Sequence, residues 1–268
     1  MIEFVKPGVS AKGTRVVLFD FDGTLSLIRA GWVDVMIPLM IKELVALNTS
    51  ESEEEIRQIV DEYVGRLTGK ETIYQMIELA DQIRKRGGTP EDPAVYKKTY
   101  LDNLWEMIKD RVEALQTGKA APDDYLVPGS RQLLESLKAR GMTLYLASGT
   151  DHEAVVQEAR LLDIDKYFDG IYGAIDDYKK FSKAILIKKI LDSAEFKGHE
   201  FLGFGDGYVE IENVKEVGGI AVGVASLEPD CKEVDEWKRK RLIGVGADFI
   251  VPNYLALDRL TPALFPAQ

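Results

Sequence analysis

Asp20 and Asp22 are separated by one residue and followed by Gly23 and Thr24, at the end of the apolar run RVVLFDF over residues 15–21. Side chains two apart on an extended chain share a face. Two carboxylates on one face repel each other unless a cation or a shared proton compensates. Two more apolar runs end in the same manner, one in Ser148-Gly149 and one in Asp206-Gly207. Singly, each is an ordinary turn, since Asp, Gly and Thr are common turn residues and Thr150 or Asp151 suits a helix N-cap. Together they say more. A doubly wound sheet binds its ligand at the carboxyl ends of its strands, and three such ends bring Asp20, Asp22, Ser148 and Asp206 to one edge. With two histidines, His152 and His199, and one cysteine, Cys231, in the chain, the site is oxygen-rich, a donor set suited to Mg²⁺.

The elements that must position these residues are legible in the pattern. Residues 15–21 read as a strand buried on both faces of a parallel sheet. A long helical region follows. Ile56, Ile59, Val60, Tyr63, Val64 and Leu67 recur at helical spacing, and Ser52 with Glu55 forms a capping-box signature. Further helices are predicted over about 71–86, stopped by Gly87 and Gly88, and over 93–116. No strand pattern lies between about 26 and 125. Beyond Pro128 the pattern alternates: helix 130–140, strand 143–148, helix 152–162, strand 170–174, helix 183–191, strand 201–205, helix 209–217, strand 220–225 and a last strand over 248–251. Alternation of this kind implies a parallel sheet with right-handed crossovers. The expected fold is a Rossmann-like α/β core with helices on both faces, interrupted after its first strand by an all-helical insert of ~100 residues. The expected division is 1–25 with 126–268 as core and 26–125 as cap.

Composition narrows the function. The 268 residues are 46% hydrophobic and 29% charged, which suits a globular chain of one or two domains. Thirty-four Lys and Arg against 45 Asp and Glu give a net charge of −11. That balance argues against nucleic-acid binding, which rests on basic residues neutralising phosphates. A small anionic substrate in a local cationic pocket remains compatible. No run approaches ~18 apolar residues, so no membrane span is expected, and the start carries no signal-peptide pattern. A cytoplasmic protein, monomer or homodimer, is the expectation.

The segment VVLFDFDGT at 16–24 resembles the first motif of the haloacid dehalogenase superfamily, a strand followed by Asp-x-Asp-Gly-Thr. Four fixed residues should arise by chance in a chain this long on the order of once in several hundred sequences. LYLASGT at 144–150 resembles the second motif, and FGDGYVEIEN at 204–213 the fourth, in the family's order. The helical insert resembles that of the subgroup with an α-helical cap.

The resemblance implies roles residue by residue. Asp20 would be the nucleophile that takes the phosphoryl group, and Asp22 the general acid–base. An acid at the second position favours phosphoryl transfer over carbon–halogen cleavage. Asp20, the backbone carbonyl of Asp22, and Asp206 would hold Mg²⁺. Ser148, helped by the Gly149 amide, would bind phosphoryl oxygens. For the third-motif lysine, Ser182 reads as an N-cap that puts Lys183 at a helix start, so Lys183 is chosen over Lys180 and Lys179. The fourth motif has Glu210 where Asp is commoner, so Glu210 is expected to reach metal through water or to hold Lys183, with Glu212 as substitute. The turn RLTGKE at 66–71 resembles the loop such caps lower over the site. There Arg66 or Lys70 would meet substrate, with an exposed connector as the plainer alternative. Arg29 and Trp32 are candidates for the entrance, Trp32 more as packing. His152, His199 and Cys231 read as incidental. The implied activity is hydrolysis of a small phosphorylated metabolite. Alternatives are a phosphomutase of the β-phosphoglucomutase type, a phosphonate hydrolase using Lys70, and a non-catalytic binding protein.

Overall fold

A computed structural model of the chain describes residues 2–175, 182–193 and 196–266. The chain opens with a two-residue strand, β1 (Glu3–Phe4), and then β2 (Val16–Phe19). Four helices follow: α1 (Val33–Val45), α2 (Glu53–Leu67), α3 (Thr72–Lys85) and α4 (Pro93–Gln116). The alternating part comprises α5 (Ser130–Ala139), β3 (Thr143–Asp151), α6 (His152–Leu161), β4 (Gly170–Ala174), α7 (Lys183–Ser193), β5 (Phe201–Gly205), α8 (Tyr208–Glu216), β6 (Ile220–Val224), α9 (Glu236–Gly244), β7 (Phe249–Val251) and α10 (Leu257–Leu264).

Among the described residues the strands form one sheet in the order β1-β7-β6-β5-β2-β3-β4. Every pairing is parallel except that of β1 with β7. Side-chain alternation along β2 explains its unbroken apolar run. Val17 and Phe19 enter one core, with helices α5, α6 and α10, whereas Val16 and Leu18 enter the other, with α7, α8 and α9. Register then positions the chemistry. Phe19 pairs with Leu146 of β3 on one side and Phe204 of β5 on the other. Asp20, Ser148 and Asp206 therefore leave the sheet side by side, one or two residues past those partners.

The helical insert owes its form to caps and amphipathic faces. Ser52 Oγ accepts from the Glu55 amide while Glu55 Oε2 accepts from the Ser52 amide at 2.8 Å, the reciprocal cap predicted from the spacing. Asp92 caps α4 through the Ala94 amide at 2.8 Å, with Pro93 in the first turn, where its missing N–H costs nothing. The apolar residues of the insert join the same core as Val17 and Phe19. The chain leaves and returns through hydrogen-bonded segments: the Leu27 amide donates to Tyr125 O at 2.8 Å and the Val127 amide to Leu25 O at 2.9 Å.

Four elements lie outside the sequence reading, the two-residue β1 among them. The run 33–47 forms α1 around buried Met36, Met40 and Leu44, with Asp34, Pro38 and Lys42 exposed along one side. The basic segment EWKRKRLIG forms α9 with Leu242 as its buried residue, and α10 follows β7. No helix among the described residues is long and apolar enough to cross a membrane.

Candidate active site

The site begins where β2 ends. After Asp20 the chain turns on one acceptor: the amides of Thr24, Leu25 and Ser26 all point to Phe21 O at 2.8–3.2 Å. Gly23 has φ +71° and lies against the Asp206 carboxylate, where any Cβ would collide. Both features call for glycine. The Thr24 hydroxyl accepts from the Asp206 amide at 3.0 Å, which ties this turn to the end of β5. The Asp-Gly-Thr turn is therefore part of the site's frame.

Asp20 is 5% exposed, and its Oδ1 accepts from Lys183 Nζ at 2.8 Å. Burial lifts the Asp20 carboxyl to about 6 against the attraction of Lys183, and the nearby Asp206 charge pushes the same way. Lys183 also donates to Glu210 Oε1. Ser182 Oγ accepts from the Ile185 amide at 3.1 Å, so Lys183 stands in the first turn of α7. Lys179 and Lys180 lie outside the described residues.

Asp22 faces the end of β3. Its Oδ2 accepts from Thr150 Oγ1 at 2.8 Å and from Ser148 Oγ at 3.4 Å, and its Oδ1 is buried with no hydrogen-bond partner. Arg29 Nε lies 3.9 Å from that oxygen, and Arg29 forks onto Glu158 at 2.7–3.2 Å. Burial raises the Asp22 pKa, opposed by the Arg29 charge and the Thr150 bond.

Asp206 completes the group from β5. Its Oδ2 accepts from Lys238 Nζ at 3.0 Å, and Lys238 also donates to Glu228 Oε1 at 2.8 Å. Burial alone would favour a neutral amine; Asp206 and Glu228 hold it charged.

A cavity of about 70 Å³ lies among these groups, walled by Asp20, Asp22, Ser148 and Lys183 from the core and by Gly69 and Gln75 from the insert. The insert sits down on the core. Gly149 lies against the Lys70 carbonyl so closely that a Cβ would clash. Gly69 abuts Glu210, and Arg241 of α9 donates to the Gly65 carbonyl of α2.

The remaining candidates separate. Lys70 and Trp32 wall the cavity. The Lys70 ammonium stands 5.8 Å from the Tyr74 ring centroid. Arg66 pairs with Glu78 at 3.3 Å on the surface. Glu210 is buried on Lys183 while Glu212 is exposed. His152 accepts from the Gly173 amide at 3.3 Å, His199 is exposed, and Cys231 is buried away from the cavity. Sequence reasoning did not find Thr150, Glu158, Gln75, Glu228 or Lys238. Thr150 ends the second motif, two after Ser148, and was read there only as a helix cap. The others are distant in sequence and meet through topology alone.

The donor set fits a hard divalent cation. Among the described residues no three acidic, histidine or cysteine side chains converge as a preformed cluster. The reason is local: the Asp22 side chain is turned to Thr150, leaving the carboxylates of Asp20 and Asp206. Two carboxylates with a carbonyl and waters are what Mg²⁺ takes, since it keeps much of its hydration. Charge points the same way. The network holds six carboxylates (Asp20, Asp22, Glu158, Asp206, Glu210, Glu228) against three cations (Arg29, Lys183, Lys238). An added cation would relieve the burial of that excess.

A family model described as haloacid dehalogenase-like hydrolase matches residues 14–218. A 5'-nucleotidase of Pseudomonas aeruginosa is 32% identical over 96 residues, which is 36% of this chain and 43% of that protein. The chain thus matches less than half the length of that curated relative. Among solved structures, a hydrolase from Pseudomonas syringae superposes with TM-score 0.59 at 16% identity, over 92% of this chain and 98% of that one. A predicted phosphoglycolate phosphatase from Haemophilus somnus gives 0.58 at 16% identity over 93% and 98%. A β-phosphoglucomutase from Clostridium difficile gives 0.54 at 14% identity over 86% and 98%. At these identities the likeness is one of fold.

Proposed function

The chain belongs to the haloacid dehalogenase-like hydrolases, and on that premise we propose that it hydrolyses phosphomonoesters of small metabolites through a phosphorylated Asp20. The observation that carries this reading is the meeting of Asp20, Asp22, Ser148, Lys183 and Asp206 around one small cavity. In the proposed reaction an Asp20 oxygen bonds to phosphorus as the ester P–O bond breaks, and Asp22 gives its proton to the leaving oxygen. Water then attacks the same phosphorus, Asp22 takes the water's proton, and phosphate leaves as the Asp20 carboxylate is restored. Burial favours a protonated Asp22, and its unpartnered Oδ1 is the atom available to carry that proton. Ser148 and Gly149 bind phosphoryl oxygens, and Lys183 holds Asp20 in place while balancing charge. Asp20, Asp206 and the carbonyl of Asp22 would hold Mg²⁺, which supplies charge neutralisation at the transferring group.

We take residues 26–125 as the cap and 1–25 with 126–268 as the core, a division supported by the paired crossings at 25–27 and 125–127. A closed cap excludes bulk water and favours small substrates over proteins. A phosphomutase of the β-phosphoglucomutase type would use the same groups and would also need a seat for a second phosphoryl group. The test is phosphate release from a panel of phosphorylated metabolites with and without Mg²⁺, using Asp20→Asn as the blank. Metal-dependent release absent from the variant is expected. Release undiminished in Asp20→Asn would refute the assignment.

A further inference from the structure

The cavity among the catalytic groups, at about 70 Å³, has room for little more than the transferring group and its ion. The rest of a substrate must lie outside it. A second cavity of about 700 Å³ shares Trp32, Thr68 and Asp206 with it as walls, and that size is in the range of small-molecule sites. Trp32, Ile37 and Val64 line this outer cavity from the insert, and Leu227, Pro229 and Trp237 line it from the core. Trp237, in the first turn of α9, is 54% exposed, and Leu227 is 44% exposed. The indole is nevertheless held. The Arg241 guanidinium stands 4.3 Å from its ring centroid, and Gly65 of α2 lies so close that a Cβ there would meet the ring. Exposed aromatic surface fixed at the side of a cavity is suited to a ligand. The charged walls of the outer cavity have other duties. Lys238 is held between Asp206 and Glu228, Arg111 donates to the carbonyls of Ile28 and Ala30, and Asp235 accepts from the amides of Trp237 and Lys238. Asp34 and Asp61 are exposed, where water and salt screen them. The Lys70 ammonium belongs to a wall of the inner cavity and not of the outer one. Recognition in the outer cavity therefore falls to its aromatic and apolar surface.

We propose that the outer cavity seats the leaving group, that Trp237 is a specificity-determining residue there, and that the preferred alcohol carries an aromatic ring remote from the scissile oxygen, as in a nucleoside monophosphate. The inference rests on the phosphatase reading above. Flat rings stack on an indole face or meet its edge, and such pairs gain beyond the area they bury. Stacking of a base on an aromatic side chain accepts any base, because each has a π-face. An indole already fixed by Arg241 and Gly65 loses little freedom when a ring binds it. A ring far from the reacting atoms is bound equally in ground and transition state, so its contribution belongs to KM.

The experiment measures kcat and KM of wild type, Trp237→Leu and Trp237→Phe on two matched pairs of esters. One pair is a nucleoside 5'-monophosphate and ribose 5-phosphate, which differ by the base. The other is 2-phenylethyl phosphate and ethyl phosphate, which differ by the phenyl ring. Wild type is expected to favour the aromatic member of at least one pair by about tenfold or more in kcat/KM, the range of one stacking contact. Trp237→Leu should lose about tenfold on that ester, mostly as a rise in KM, and less than about threefold on its partner without the aromatic ring, whose turnover also reports that the variant is folded. Trp237→Phe, which keeps an aromatic face, should recover most of the loss. Equal losses on both members of the pair, or none on either, would overturn the role of Trp237. Wild-type parity within both pairs, or turnover of other phosphomonoesters but of neither aromatic ester, would overturn the aromatic class. No release from any phosphomonoester by wild type would overturn the phosphatase reading, and this inference with it.

Discussion

Asp20 and Asp22 are chemically identical and two residues apart, one buried and one partly so, and their different surroundings support the division of work proposed for them. Asp20 meets an ammonium at 2.8 Å, which keeps a carboxylate oriented for attack. Asp22 meets hydroxyls, with its guanidinium neighbour at 3.9 Å already committed to Glu158. That environment lets a carboxyl hold a proton and release it. Thr150 is the lever on this balance, because its hydroxyl bonds the Asp22 carboxylate and thereby lowers its pKa. Thr150→Val removes a donor from the charged form. The Asp22 pKa should rise, and the limb of the pH–rate profile that it governs should move to higher pH. Loss of one hydrogen bond to a charged group should cost roughly tenfold in kcat at neutral pH. A pH–rate profile superposing on that of wild type would contradict this role for Thr150. The spacing announced the pair and the family resemblance implied which acid does which job; the neighbours supply a physical reason for that division.

The elements divide into a frame and a cover. The frame is β2 between β3 and β5, and its register aligns the three motif ends. It was legible because both-face burial leaves continuous apolar runs and each run stops at a polar, glycine-containing turn. The cover was legible in α2, α3 and α4, whose extents the apolar spacing and breakers mark, with a reciprocal cap at the start of α2. It was less legible in α1, where only Asp34, Pro38 and Lys42 mark the exposed side of a mostly apolar run, and in α9, whose buried residue is Leu242 alone. Those two elements supply Met36 and Lys238, which border the site. Cover and frame meet through glycines. Gly149 of β3 touches the Lys70 carbonyl, and Gly65 of α2 receives Arg241 and the Trp237 edge. Gly149→Ala puts a methyl group into that contact. The cap loop should fail to seat, and kcat/KM should fall tenfold or more while the thermal midpoint stays within a few degrees of wild type. Unchanged kcat/KM in that variant would show that the loop does not need this approach.

Across the whole molecule, a net charge of −11 is compatible with the proposed anionic substrate because the cations are local. Lys183, Arg29 and Lys238 are drawn from α7, the β2–α1 connection and α9 to one end of the sheet. Composition therefore argued against nucleic-acid binding without predicting the site, and the pairings Arg29–Glu158 and Lys238–Glu228 are products of topology that no local pattern encodes. The central claim is that the phosphoryl group rests on Asp20 between two half-reactions. The most direct measurement mixes enzyme, Mg²⁺ and a turned-over phosphomonoester, quenches in acid within the first turnover, and maps the phosphorylated peptide by mass spectrometry. The account predicts one phosphoryl group on the peptide containing Asp20, absent in Asp20→Asn. A phosphoryl group on another residue, or turnover by wild type with no covalent species at any quench time, would contradict it.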